Sequence, residues 1–62
     1  MIRRGNFVFL TWVGDYGPAH VHVFRNGRNV VKYDLENGQV VDGRLTRRVH
    51  RFIEKLREES LL

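Results

Sequence analysis

The spacing of apolar residues changes once along this chain, and that change limits what it can fold into. In Ala19-His20-Val21-His22-Val23 apolar and polar residues alternate strictly, the period of a half-buried strand. From Leu45 onward the period lengthens. Leu45, Val49, Phe52, Ile53 and Leu56 fall at i, i+4, i+7, i+8 and i+11, one stripe of an amphipathic helix. Strands followed by a single helix, in 62 residues with room for one domain (1–62), predict a two-layer α+β domain. The expected architecture is a small antiparallel meander of three to four strands packed on one C-terminal helix.

Strands are expected at about 6–13, 19–25 and 28–35, with a short fourth at 39–42, and the helix at about 45–59. The first strand is apolar on both faces: Phe7 and Phe9 on one, Val8, Leu10 and Trp12 on the other. Such a strand is central, or is covered on its second face by another subunit. Asp15-Tyr16-Gly17-Pro18 carries turn chemistry. The link Arg25-Asn26-Gly27-Arg28 leaves a choice of register. A plain two-residue Asn26-Gly27 turn pairs Arg25 with Arg28 and mixes the histidines with Val31, Tyr33 and Leu35. A three-residue loop with Gly27 left-handed pairs Phe24 with Arg28 and segregates the faces. That register is preferred. It puts Ala19, Val21, Val23, Val31, Tyr33 and Leu35 inside, and His20, His22, Phe24, Val30, Lys32 and Asp34 outside. Either Thr46 or Asp42 serves as the helix N-cap.

A chain this short buries only about 60% of its unfolded surface, so little of it is free for anything but folding. It has no cysteine, hence no disulfide and no thiolate zinc site, which fits a reducing compartment. No apolar run reaches the roughly 20 residues of a membrane span, and residues 1–13 lack the layout of a signal peptide. A cytoplasmic protein without a membrane role is the expectation. Eleven Lys and Arg against seven Asp and Glu give a net charge of +4, which suits an anionic partner as well as mere solubility.

His20 and His22 are the first chemical candidates. Neighbours at i and i+2 on a strand project the same way, roughly 6–7 Å apart. That suits an acid–base pair flanking a substrate, or two imidazoles on a metal with Asp15, Asp34 or His50 as a third ligand. It equally suits two solvated side chains. The second candidate is the crowd of Arg44, Arg47, Arg48 and Arg51 at the helix start, where the dipole favours acids and where guanidinium forks with free N–H groups suit phosphate. Glu54, Glu58 and Glu59 partly balance it. Trp12 and Tyr33 are expected in the core, Phe24 and Tyr16 at a contact surface. Thr11, Thr46 and Ser60 have no triad context, so nucleophilic catalysis has little support.

The stretch "GPAHVHVFRNGRNVVKYDL", followed by an Arg-rich amphipathic helix, resembles the small bacterial family called domain of unknown function 4160. Its members show an aromatic first strand, a turn ending in Pro-Pro-His-(Val/Ile)-His-Val, a Gly-containing hairpin, a strand like Val30-Val31-Lys32-Tyr33-Asp34-Leu35, and a helix. The likeness runs from Phe7 to about Glu58. Pro18-Ala19 departs from the family's two prolines but spares both histidines. The family name carries no activity. Its members often sit beside another small gene in pairs that look like toxin–antitoxin modules, so the resemblance implies, by analogy, a ribonuclease-like or translation-directed toxin. A motif centred on His20 and His22 also favours a function for them.

Three functions therefore stand open. The first is a toxin–antitoxin-type protein that binds RNA through the His-x-His strand and the helix start, with Arg44, Arg47, Arg48, Arg51, Phe24 and Tyr16 as binding residues. If it cuts RNA without a metal, His20 and His22 are general base and acid, and Lys32 or an arginine steadies the developing charge. The second is a non-enzymatic interaction domain that docks an antitoxin-like protein or a second copy of itself. The third is a metal-binding module. The first two call for no cofactor.

Overall fold

The computed structural model describes residues 1–12 and 19–62, apart from the side chain of Trp12. In chain order it contains β1 (Ile2–Arg4), β2 (Phe7–Trp12), β3 (His20–Arg25), β4 (Arg28–Asp34), β5 (Gln39–Gly43) and α1 (Arg47–Glu58). The strands form one antiparallel sheet in the order β1-β2-β3-β4-β5. This is the expected α+β meander with one helix, carrying five strands rather than three to four. The extra strand is β1, whose Ile-Arg-Arg sequence is too short and too charged to signal a strand. It exists because Gly5, at φ +59°, turns the chain within two residues and pairs Arg4 with Phe7.

With β1 on one side and β3 on the other, β2 is an interior strand, as its doubly apolar sequence suggests. Phe7 and Phe9 point inward and are buried, while Leu10 on the other face is 41% exposed.

The expected three-residue loop between β3 and β4 does not form. Asn26 and Gly27 have φ of +53° and +74°, the signature of a two-residue type I′ turn, and Arg25 pairs with Arg28. Apart from Val30, expected outside but packed against the core, the faces nevertheless segregate as expected, because the register shifts between Phe24↔Asn29 and Val23↔Val31, leaving Val30 as the extra residue of a β-bulge. Bulge and longer loop shift parity alike, so Val21, Val23, Val31 and Tyr33 share one face either way. A second shift, between Lys32↔Asp42 and Tyr33↔Val40, makes Val41 the extra residue in β5.

The sheet leads into the helix at Gly43, whose φ of +81° and whose contact with the Val30 carbonyl leave no room for a Cβ. The Arg44 N–H then donates to that carbonyl at 3.1 Å. Thr46, not Asp42, is the N-cap: its hydroxyl accepts from the Val49 N–H at 3.2 Å, while Asp42 stays in β5 opposite Lys32. Helix α1 is thus shorter than 45–59, and Leu45 packs against the core from outside it.

The core is the helix-covered face. Phe9, Val21, Val23 and Val31 of the sheet and Val49, Ile53 and Leu56 of the helix are at most 1% exposed. The Phe52 ring lies 6.1 Å from that of Phe7 and 6.2 Å from that of Phe9. Burying each such side chain stabilises by about 1.5–3 kcal/mol. Tyr33 is buried, as expected. No described helix is long and apolar enough to cross a membrane.

Candidate functional site

Because strand side chains alternate, the face turned away from α1 is fixed by the same register that builds the core. Reading across the sheet, Arg3, Val8, Phe24 and Asn29 form one row of paired residues, and Leu10, His22, Lys32 and Asp42 form the next. His20 then lies between Trp12 and Asp34 in the pairing, with Gln39 beyond. The two histidines and Lys32 therefore share the open face, as expected, and among the described residues no element packs over them. His20, His22, Phe24 and Lys32 are half-buried by one another and their neighbours.

The rings of His22 and Phe24 lie nearly parallel, 11° apart with centroids separated by 6.3 Å. They make a short aromatic pair beside Lys32, the cross-strand partner of His22. Val8 and Leu10 extend it with aliphatic surface. The sequence marks Phe24 as a contact residue and Val8 and Leu10 as an apolar face open to a second subunit; their place beside the histidine strand comes from the register.

Asp34 sits opposite His20, yet its carboxylate is committed to the β4–β5 turn. One oxygen accepts the backbone N–H groups of Glu36 and Asn37, both at 2.9 Å, and the other accepts the Asn37 side-chain amide at 2.8 Å. These bonds, those to Asn37 first, hold the carboxyl below its ordinary pKa against the opposing effect of burial, with a smaller contribution from His20. Asp34 is thus a turn anchor rather than a ready metal ligand. His50, the other described candidate, lies on the opposite side of the sheet, its ring edge-on to Tyr33 at 6.2 Å and its Nε2 3.5 Å from Glu54. Among the described residues no three His, Asp or Glu side chains gather as a metal would need. Asp15 and Tyr16 lie outside the described residues, as does the expected core position of the Trp12 side chain.

The arginines do not join the histidines. Helix α1 covers the valine face, so Arg47 and Arg51 are exposed on its outer side, with the whole sheet between them and His22. Arg44 is exposed just before the helix. Arg48 folds back onto the core edge, its guanidinium carbon 5.7 Å from the Phe7 ring centre and 5.6 Å from that of Phe52. The His-x-His strand and the outer helix arginines therefore form two separate surfaces. The physical reason is that the stripe opposite the arginines is the one the valine face must bury.

A five-stranded antiparallel sheet with one helix behind it and a histidine-bearing open face in front defines a small α+β class of protein. The chain belongs to the family described as Domain of unknown function (DUF4160), whose sequence profile matches residues 5–60. Comparison with curated proteins and with solved structures returned no match.

Proposed function

We propose that the protein binds single-stranded RNA on the open face of its sheet. The observation that carries this reading is the parallel His22–Phe24 ring pair, lying uncovered beside Lys32. Flat rings on a sheet surface offer stacking to any unpaired base, and each base–aromatic stack contributes about 1–3 kcal/mol. Lys32 and Arg3 supply cations for the phosphates that connect such bases. Arg47 and Arg51, behind the sheet, contribute only long-range attraction, which salt screens.

Fluorescence anisotropy with a short unstructured RNA tests it. Phe24→Ala weakens binding about tenfold or more, the equivalent of one lost stack, whereas Arg51→Gln changes it little. Loss of binding in Arg51→Gln with none in Phe24→Ala overturns the reading.

If the bound strand is cut, His20 and His22 are general base and acid, Lys32 steadies the developing charge, and His20→Ala and His22→Ala each abolish cleavage while binding persists. The toxin role implied by the family resemblance adds a cellular expectation: induced expression arrests bacterial growth, and His20→Ala relieves the arrest. A second reading, a face-to-face pair of sheets, draws support from the exposure of Leu10 beside half-buried Val8. Native mass measurement separates it from the first, since a strictly monomeric protein rules out the pair.

A further inference from the structure

Among the described residues, a second group of cations without ion-pair partners lies away from the histidines, at the end of the sheet where the β1–β2 and β3–β4 turns sit side by side. A cleft of about 350 Å³ opens there between the turns, lined by Arg3, Gly5, Asn6, Phe7, Asn26 and Gly27, with Val8 at its open-face rim. Two further guanidinium groups lie close to its lining residues Gly5 and Phe7 without lining it themselves, and Arg48 also borders a separate groove with Arg51, Glu54 and Glu58. Arg25, next to Asn26 in the chain, has its guanidinium carbon 5.9 Å from the centre of the Phe7 ring, and Arg48 stands 5.7 Å from the same centre. Among the described residues neither has a carboxylate within ion-pair distance; Arg4 nearby has one, Glu59 at 3.0 Å.

Three details make this more than a scatter of surface cations. Cation–π contact with Phe7 restrains Arg25 and Arg48, so less side-chain freedom is lost when they grip an anion. Gly5 keeps space open for one of them: a Cβ there would stand 3.0 Å from the Arg48 Nη2. Arg25 is also paired directly with Arg28 across the turn, and residues 1–8 and 24–30 contain no acid. Like charges facing each other on a ladder destabilise it, and an anion between the turns would relieve that repulsion.

We propose that this cleft is a binding site for a phosphate group, gripped by Arg25 and Arg48 from the helix side and Arg3 from the open side. The site stands independently of RNA binding on the open face. Its rim at Val8 adjoins Phe24, so the phosphate can belong to a nucleic-acid end or to a free phosphate-bearing molecule.

The test is titration of isotopically labelled protein with inorganic phosphate at constant ionic strength, followed through the backbone amides. Saturable shifts are expected at Gly5, Asn6, Asn26 and Gly27. Arg25→Gln and Arg48→Gln each raise the dissociation constant about tenfold, the typical effect of one charge-assisted hydrogen bond. Arg47→Gln and Arg51→Gln, which remove the same charge from the outer helix face, leave it within about twofold. Thermal melts verify that each variant is folded, and Arg25 keeps the test informative should Arg48→Gln unfold. Absence of saturable shifts, or equal loss in Arg47→Gln, overturns the proposal. A second arm compares otherwise identical RNAs with 5′-phosphate and 5′-hydroxyl ends: a preference names the nucleic-acid end, and indifference with intact inorganic phosphate binding names a free molecule. Phe24→Ala leaves the phosphate shifts unchanged even where it abolishes RNA binding, so the two proposals fail separately.

Discussion

The two faces of this sheet are built by the same strands and have opposite chemistry. On β3, Val21 and Val23 are fully buried under α1, while His20, His22 and Phe24, interleaved with them, are half-buried under nothing described. The covered face needs apolar volume and little else. The open face places an aromatic pair, two imidazoles and a lysine at positions where folding has no use for them. In so small a protein that contrast separates what holds the fold from what is available to a partner.

The contrast breaks first if core and open-face substitutions cost the same. Phe9→Ala should remove about 3–5 kcal/mol, enough to unfold much of a marginal domain, as denaturant unfolding would report. Gly43→Ala comes next, at about 2 kcal/mol or more, since the new methyl must take a positive φ and displace the Val30 carbonyl. Thr46→Ala, which removes only the cap of α1, should cost about 1 kcal/mol. At the bottom of the scale His20→Ala and His22→Ala should shift stability by less than about 1 kcal/mol. Equal losses in His22→Ala and Phe9→Ala would make the open face structural and end the comparison.

Acid sharpens it from another side. The folded state holds Asp34 below its ordinary pKa, so its contribution to stability is fully present above the unfolded carboxylate value of about 3.9. It fades as pH falls through the lower, folded value. Asp34→Asn should therefore flatten the acid limb of a stability–pH curve in that range. An unchanged limb would mean that the turn bonds to Glu36 and Asn37 do not matter to folding.

How much of this was legible in the sequence follows from how each feature is encoded. Face assignment was legible because parity follows from the alternation of valines and histidines, however the chain turns. The turn itself was not read from parity, which a bulge at Val30 and a three-residue loop share; Asn26-Gly27, the favoured type I′ pair, was its signal. Strand β1 was missed because three residues are too few to show a period. The histidine face was readable, since Phe24 follows His22 on the same side. The separation of the arginines from it was implicit in the helix stripe: if Val49, Ile53 and Leu56 cover the valines, Arg47 and Arg51 must face away. The hairpin-end cleft depends on two turns meeting in space and on Phe7 gathering Arg25 and Arg48, which only the tertiary structure brings together.

The most direct measurement of the central claim is a chemical-shift map of the protein titrated with a short unstructured RNA at low and moderate salt. Shifts are expected to centre on His20, His22, Phe24 and Lys32 and to persist, though weakened, as salt rises, because stacking survives screening while phosphate contacts do not. Shifts confined to Arg47 and Arg51 on the outer helix face, or none on the open face at low salt, would contradict that claim.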